Sequence, residues 1–356
     1  MKKLKVGIIG ATGMVGQRFV QLLESHPWFD IEVLAASERS KGMSYADAVK
    51  NRWVMKTNIP ERILSKTIMD SVEDCEKICS SVDFIFCAIN MEKDKLQELE
   101  YRYAKNECPV ISNNSAHRWT SDVPVLIPEI NPEHIKIIDS QRKRLNTKRG
   151  FIATKPNCSI QCFMHAIFPL LKFELNFAAV STYQAISGAG KTFERFPEII
   201  DNLIPYIPGE ETKTELEPLK IFGSIVDGSI VNANVPRIVS TCVRVPTSDG
   251  HLASVFAKFE KNIKIDEIIE IWNNFDSPIC LPSSPKKLIK YFYENDRPQI
   301  NIDRLRDNGM GINLGHLRQI SEHEISFIGM NHNTIRGAAG GAILLAELLH
   351  EKGYLC

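Results

Sequence analysis

The sequence contains no apolar run approaching the ~20 residues that span a bilayer, so it offers no segment for a membrane-crossing helix. It has no surplus of charge either. Lysine plus arginine and aspartate plus glutamate each count 43, which excludes a global basic field for nucleic acid or an anionic membrane and leaves room only for a local basic pocket. Internal repeats and low-complexity tracts are lacking. The nine cysteines show neither C-x-x-C pairs nor the dense spacing of a secreted scaffold. Cys75 and Cys79, like Cys158 and Cys162, are four residues apart, which is helix-face spacing, and neither pair has a matching His or Cys pair at zinc-site distance. Reduced thiols and no metal site are therefore expected. The opening MKKLKVGIIG has the charged and apolar character of a signal peptide, but glycines and then Gln17 and Arg18 break the stretch. Export is not expected, and a cytoplasmic location is.

What the sequence does have is a length of 356 residues, enough for two domains, and a clear alternation of elements at its start. Leu4 to Ile9 reads as a short strand. A glycine turn follows, then the helical pattern QRFVQLLESH and a second strand, IEVLAAS. This is a βαβ unit, which makes parallel strands. Further strands at 84–88 and 109–111, with the helical KDKLQELEYRYAKN between them, extend it to a doubly wound sheet. Beyond about residue 130 a basic segment, SQRKRLNTKRG, leads to 151–154 and the turn Lys155-Pro156-Asn157-Cys158. The apolar SIQCFMHAIFPLLKF reads as a long helix interrupted late by Pro169, and FAAVSTYQAIS and HLASVFAKFE read as strands. The expected fold is α/β overall. A Rossmann-type doubly wound dinucleotide-binding domain takes residues 1–135 plus 335–356, and an α+β domain with a mixed, largely antiparallel sheet takes 136–334.

Three features carry chemistry. Gly10-x-x-Gly13-x-x-Gly16 follows a strand and opens a helix, where glycine allows a tight turn and the free N–H groups of the helix start favour a pyrophosphate. Gly10, Thr12, Gly13, Met14 and Val15 are the expected cofactor contacts there. An acid commonly ends the second strand in an NAD enzyme, to accept from the ribose 2′-hydroxyl. Here the run is Ala36-Ser37-Glu38-Arg39-Ser40-Lys41, so Ser37, Arg39 and Ser40, assisted by Lys41, suit the 2′-phosphate of NADP, with Glu38 turned outward. Cys158, before the long apolar stretch, is a candidate nucleophile whose thiol would gain from a helix N-terminus. His251, in the polar turn Ser248-Asp249-Gly250-His251 before a strand, is a candidate base, while Cys162 and His165 read as packing residues.

Taken together, GATGMVGQRF, AASERSKG, NNSAHR, PNCSIQC, YQAISGAGK, IPYIPGEE, RVPTSDGHLASVF and NHNTIRGAAGGAILLAELL make the chain resemble the aspartate-β-semialdehyde dehydrogenase family nearly end to end, particularly its branch in fungi, archaea and some bacteria. The resemblance implies an NADP domain, a catalytic domain that forms a homodimer or homotetramer, and reductive dephosphorylation of aspartyl 4-phosphate to aspartate 4-semialdehyde on the route to lysine, methionine and threonine. It implies Cys158 as the nucleophile that forms a thioester, His251 as acid/base residue and Gln184 as the group that orients the acyl carbon. Arg118 would bind the phosphoryl group, helped by Lys213, and Arg244 the α-carboxylate. Glu210 would hold the α-ammonium, with Glu211 the adjacent alternative. Ser187, Gly188 and Asn333 would contact the cofactor.

Two other readings compete with this one. An acyl-CoA reductase on the same scaffold would keep the cysteine and NADP but needs room for CoA, and Arg118, Lys213 and Glu210 weigh against it. A non-catalytic NADP-sensing protein would not need Cys158, Gln184 and His251. The cofactor reading yields a direct expectation. Arg39→Ala should weaken NADPH by roughly 10–150-fold, the value of a charge-assisted hydrogen bond, and NADH much less. Binding titrations with both cofactors test it, and an equal loss for the two would make the loop merely structural.

Overall fold

Short, almost wholly buried apolar segments build the first sheet of the computed structural model, which describes residues 2–355. They are β1 (Leu4–Ile9), β2 (Phe29–Ala36), β3 (Ile68–Asp70), β4 (Phe84–Cys87), β5 (Val110–Ser112) and β6 (Ile152–Thr154). All pairings are parallel and the order is β3-β2-β1-β4-β5-β6, the doubly wound arrangement. Such strands are apolar on both faces because helices cover both. Among the covering elements, Met14–Leu22 follows β1 directly. Gly340–Glu351 is buried along nearly its whole length, as a helix apolar all round must be.

Along the chain there follow β7 (Leu175–Gln184), a small hairpin of β8 (Ser224–Val226) and β9 (Ser229–Val231), then β10 (Arg237–Arg244), β11 (His251–Phe259), β12 (Ile289–Phe292), β13 (Ile312–Ser321) and β14 (Glu324–Asn331). The second sheet runs β10-β7-β11-β14-β13-β12. Its outer pairings, β10 with β7 and β12 with β13, are parallel, and the three inner ones are antiparallel. In β11 inward residues alternate with partly exposed ones, the period-2 pattern of a half-buried strand. The helix Ile265–Asn273 packs near this sheet, where the buried Trp272 donates through Nε1 to the Ala166 carbonyl (2.9 Å) and stands edge-on to Phe327.

Two expectations need correction. The boundary foreseen after residue 135 falls after Pro156, because β6 pairs with β5 and so belongs to the first sheet. The first unit also takes Ile225–Val231 and the stretch from Ala338 onward, and the second takes Asn157–Ser224 and Asn232–Gly337. The apolar stretch after Cys158 is not one long helix. It forms a 3₁₀ turn (Ile160–Cys162), one α-turn (Met164–Ile167) and a second 3₁₀ segment (Phe168–Phe173). Phe163 leaves helical geometry at φ −128°, and Pro169 supplies no N–H and crowds the preceding turn.

The outer edge of β6 is bridged at Thr154 by residues 124–126, and beside that bridge it has an unusual partner. Gln141, fully buried on the helix Ile137–Leu145, accepts from the Ile152 N–H (2.6 Å) and donates to the Ile152 and Asp122 carbonyls (2.9 Å each). Its amide thus imitates a neighbouring strand residue and covers an edge that must otherwise be managed. Gln141→Leu should cost about 3 kcal/mol, since several buried backbone groups lose their partners at once. Urea unfolding measures this, and a loss below about 1 kcal/mol would mean that water replaces the amide.

Candidate active site

In the first unit the glycine turn has the shape a dinucleotide needs. Gly10 follows β1 at φ +88°, and a Cβ there would lie 2.6 Å from the Ala88 carbonyl oxygen, so only glycine fits. Gly13 caps the helix Met14–Leu22 and is exposed, with Thr12, Met14 and Val15 half-buried around it. The first N–H groups of that helix have no partner within it, which suits a pyrophosphate. After β2, Ser37 and Arg39 are exposed at the 3₁₀ turn Glu38–Ser40, and so is Glu38. Ser40 is buried beneath them, and Lys41 is drawn aside by Glu73 (2.6 Å) and Asp74 (3.8 Å). These residues fit a dinucleotide, with Ser37 and Arg39 the better placed pair for a 2′-phosphate. Arg118, also in this unit, is almost buried and donates through Nη2 to the Asn113 carbonyl at 3.0 Å.

The second unit gathers most of the remaining groups. Cys158 is half-buried in the turn before the 3₁₀ segment, so the argument from a helix dipole no longer applies to it. The turn is fixed by Asn157 instead. Its side-chain oxygen accepts from the Ser159 N–H (2.9 Å) and hydroxyl (3.0 Å), and its own N–H donates to the buried Glu217 (2.6 Å). Cys158 Sγ lies 3.3 Å from His251 Nε2.

His251 is not in the turn before the strand. It opens β11, opposite Asn331 of β14, and is fully buried. The Ala185 N–H donates to its Nδ1 at 3.0 Å, so the proton of the neutral ring sits on Nε2, facing the sulfur. Burial first, and the Arg244 guanidinium second, push its pKa down to about 3, against a smaller opposing pull from Glu210. Arg244 is buried and donates through Nη1 to the Ala185 carbonyl at 2.7 Å. The backbone of one residue, Ala185, therefore holds both side chains, through its N–H and its carbonyl. Gly188 passes so close that a Cβ would stand 3.0 Å from Arg244 Nη1 and 3.2 Å from the His251 ring.

Glu210 and Lys213 do lie on a helix, Glu210–Ile221, and pair at 2.9 Å. The other Glu210 oxygen accepts from Asn157 Nδ2 (2.8 Å) and Gln184 Nε2 (3.2 Å). Burial alone raises the Glu210 pKa, but Lys213 and these donors outweigh it, so the carboxyl is held below its ordinary value and stays ionised. Glu211 instead accepts from the Cys242 N–H at 3.1 Å and faces β10. The structure thus brings Cys158, His251, Gln184, Arg244, Glu210 and Lys213 into one network. Asn333, expected to contact the cofactor, has partners within the chain. Its amide donates to Ser187 Oγ (2.8 Å) and accepts from the Gly250 N–H (2.7 Å), which makes it a tie between loops. Cys162 and His165 are more than packing as well. The Cys162 thiol donates to Asn331 Oδ1 (2.9 Å) and the His251 carbonyl (3.2 Å), and Arg336 donates to His165 Nε2 (2.5 Å). Sequence reading missed Asn157, Glu217, Asn331 and the Ala185 backbone. Of these only Asn157 left a signal, an Asx residue at a turn beside the nucleophile.

Two family patterns match the chain: "Semialdehyde dehydrogenase, NAD binding domain" at residues 5–138 and "Semialdehyde dehydrogenase, dimerisation domain" at 167–336. The aspartate-semialdehyde dehydrogenase of Archaeoglobus fulgidus is 40% identical over 98% of this chain and 99% of its own length. The malonyl CoA reductase (NADP) of Metallosphaera sedula is 34% identical over 99% of each chain. The crystal structure of aspartate semialdehyde dehydrogenase with NADP from Candida albicans superposes with a TM-score of 0.88 at 32% identity, covering 99% of this chain and 100% of that one.

The depressed His251 pKa predicts a pH effect of definite sign. In the unfolded chain the imidazole takes a proton below about 6.5, whereas in the folded chain it resists until about 3. Stability should therefore fall as pH drops through that window. His251→Asn should lose roughly 2 kcal/mol less than the parent between pH 6.5 and 4.5, measured by urea unfolding at both values. Equal losses would place the charge-resisting group elsewhere.

Proposed function

The chain belongs to the aspartate-semialdehyde dehydrogenase family, and from that premise we propose that it reduces aspartyl 4-phosphate to aspartate 4-semialdehyde, with release of phosphate, at the expense of NADPH. The observation that carries the reading is the Cys158–His251 pair set among Glu210, Gln184 and Arg244. Cys158 Sγ, as the thiolate with its proton already given up to solvent, attacks the acyl carbon, the C–O bond to phosphate breaks, and a thioester remains. NADPH, when bound to the glycine turn and the Ser37–Arg39 loop, supplies the hydride. Collapse of the resulting tetrahedral oxyanion expels Sγ as thiolate and leaves the aldehyde. His251 Nε2–H stabilises the negative charge, first on sulfur and then on oxygen, so the geometry supports the donor half of its expected acid/base role. Gln184 orients the acyl group. Glu210, ionised, takes the α-ammonium, Arg244 the α-carboxylate, and Arg118 with Lys213 the phosphoryl oxygens.

A dimerisation domain spans residues 167–336. Its contact face in this reading includes Ile200, Leu203 and Tyr206, all more than half exposed, in the segment that bridges to β10 through Ile204 and Arg244. A homodimer is proposed on that face. A cytoplasmic location belongs to the same reading, since a cysteine nucleophile needs a compartment that keeps thiols reduced. No helix among the described residues is long and apolar enough to cross a membrane.

The reverse reaction tests the proposal. With aspartate semialdehyde and NADP⁺, NADPH should appear only when phosphate is added, and Cys158→Ser should abolish turnover in a folded protein with cofactor binding intact. Arg118→Ala should raise the KM for phosphate and Arg244→Ala the KM for semialdehyde, each by roughly tenfold or more. Turnover that requires CoA in place of phosphate would favour the acyl-CoA reductase reading.

A further inference from the structure

Glu100 is a carboxyl in the wrong surroundings for a structural residue. It lies on the helix Lys93–Lys105 with no exposed surface, on the face that buries Leu96, Leu99, Tyr103 and Ala104. A buried carboxyl is expensive, and an apolar side chain of similar volume is usually at least as stabilising. Burial raises its pKa, and Arg118 is among the groups that pull the other way.

What Glu100 does at that cost is hold a turn. One oxygen, Oε1, accepts from the Ser112 hydroxyl at 2.6 Å and from the Asn114 side-chain amide at 3.0 Å. Ser112 ends β5, and its hydroxyl oxygen also accepts from the Asn114 N–H at 3.0 Å. The Asn113 N–H donates to the Cys87 carbonyl at the end of β4 (2.9 Å). The second oxygen, Oε2, has no hydrogen bond among the described residues and stands 3.9 Å from His117 Nε2. The turn so fixed ends in Arg118, whose N–H donates to the Ser115 carbonyl (3.3 Å) and whose Nη2 donates to the Asn113 carbonyl. The path from the carboxyl to the guanidinium is therefore continuous: Glu100, Ser112 and Asn114, the Asn113 carbonyl, Arg118. It lies at the carboxyl ends of β4 and β5, the side on which a doubly wound sheet takes its ligands.

We propose that Glu100 is a positioning residue for the phosphoryl end of the substrate, setting the 112–118 turn so that Arg118 meets the anion in a fixed orientation. The inference rests on the reading of Arg118 as the phosphate-binding arginine. Its chemistry is specific. The turn needs an acceptor oxygen at Oε1, which glutamine keeps and leucine lacks, and only the anion end of the substrate should register the difference.

The experiment compares Glu100→Leu, Glu100→Gln, Ser112→Ala and Arg118→Ala with the parent in the reverse direction, measuring both KM values, kcat and the melting temperature. Glu100→Leu should raise the KM for inorganic phosphate roughly tenfold, with the semialdehyde KM changed less than about twofold, since a small misplacement of a binding group is costly only for the group it serves. Glu100→Gln should stay within about threefold of the parent for phosphate. Where the leucine variant fails to fold, Ser112→Ala removes the shorter of the two links to Oε1 and should show a phosphate-only rise, smaller because Asn114 still reaches the carboxyl. A lowered melting temperature with an unchanged phosphate KM, an equal rise in both KM values, or a glutamine variant as poor as leucine would overturn the proposal. Arg118→Ala keeps the two readings apart: if it leaves the phosphate KM unchanged, the assignment of Arg118 fails; if it raises that KM and the Glu100 and Ser112 variants do not, the positioning role alone fails.

Discussion

The second unit's site depends on the register of β11 between β7 and β14. His251 sits opposite Asn331 on one side, while Leu252 sits opposite Tyr183 of β7 on the other. Because side chains alternate faces along a strand, a slip of one residue would turn the imidazole away from Cys158 and present Leu252 in its place. The inner antiparallel pairings are what forbid that slip. They bury Ala253, Val255 and Ala257 on one face, so the apolar pattern and the position of the imidazole are a single choice.

The site built on that register keeps two charge states apart within one network. Glu210 stays ionised because Lys213 and two amides compensate its burial, and His251 stays neutral because burial and Arg244 oppose a second proton. A neutral imidazole with its proton directed at sulfur and an ionised carboxylate nearby are different tools within one network. Depth decides for the ring, where burial is the larger effect, and partners decide for the carboxyl, where they outweigh it.

The first unit was the more legible in sequence. Leu4–Ile9 is the strand foreseen, and the glycine turn sits where the βαβ pattern puts it, because apolar runs, glycines and helix periodicity are local signals. The apolar stretch after Cys158 misled for a related reason. Its composition says buried, but a buried helix and a buried irregular segment read alike until Phe163 and Pro169 are seen to break the hydrogen-bond ladder. The family resemblance identified the charged side chains that gather around Cys158. It could not show that the backbone of Ala185, which no side chain announces, holds two of them, or that Glu100, one of many charges on its helix, points inward.

Ala185 has a mechanical consequence. Arg244 donates to its carbonyl, and its N–H donates to Nδ1 of the imidazole, so two successive peptide groups of one short stretch fix the guanidinium and the ring together. The peptide that carries this N–H is itself anchored, since the Gln184 carbonyl accepts from the Val245 N–H at 3.0 Å. The spacing between the two side chains is thus set by main chain, which a change of side chain at position 185 leaves in place, proline excepted because it has no N–H to give the ring.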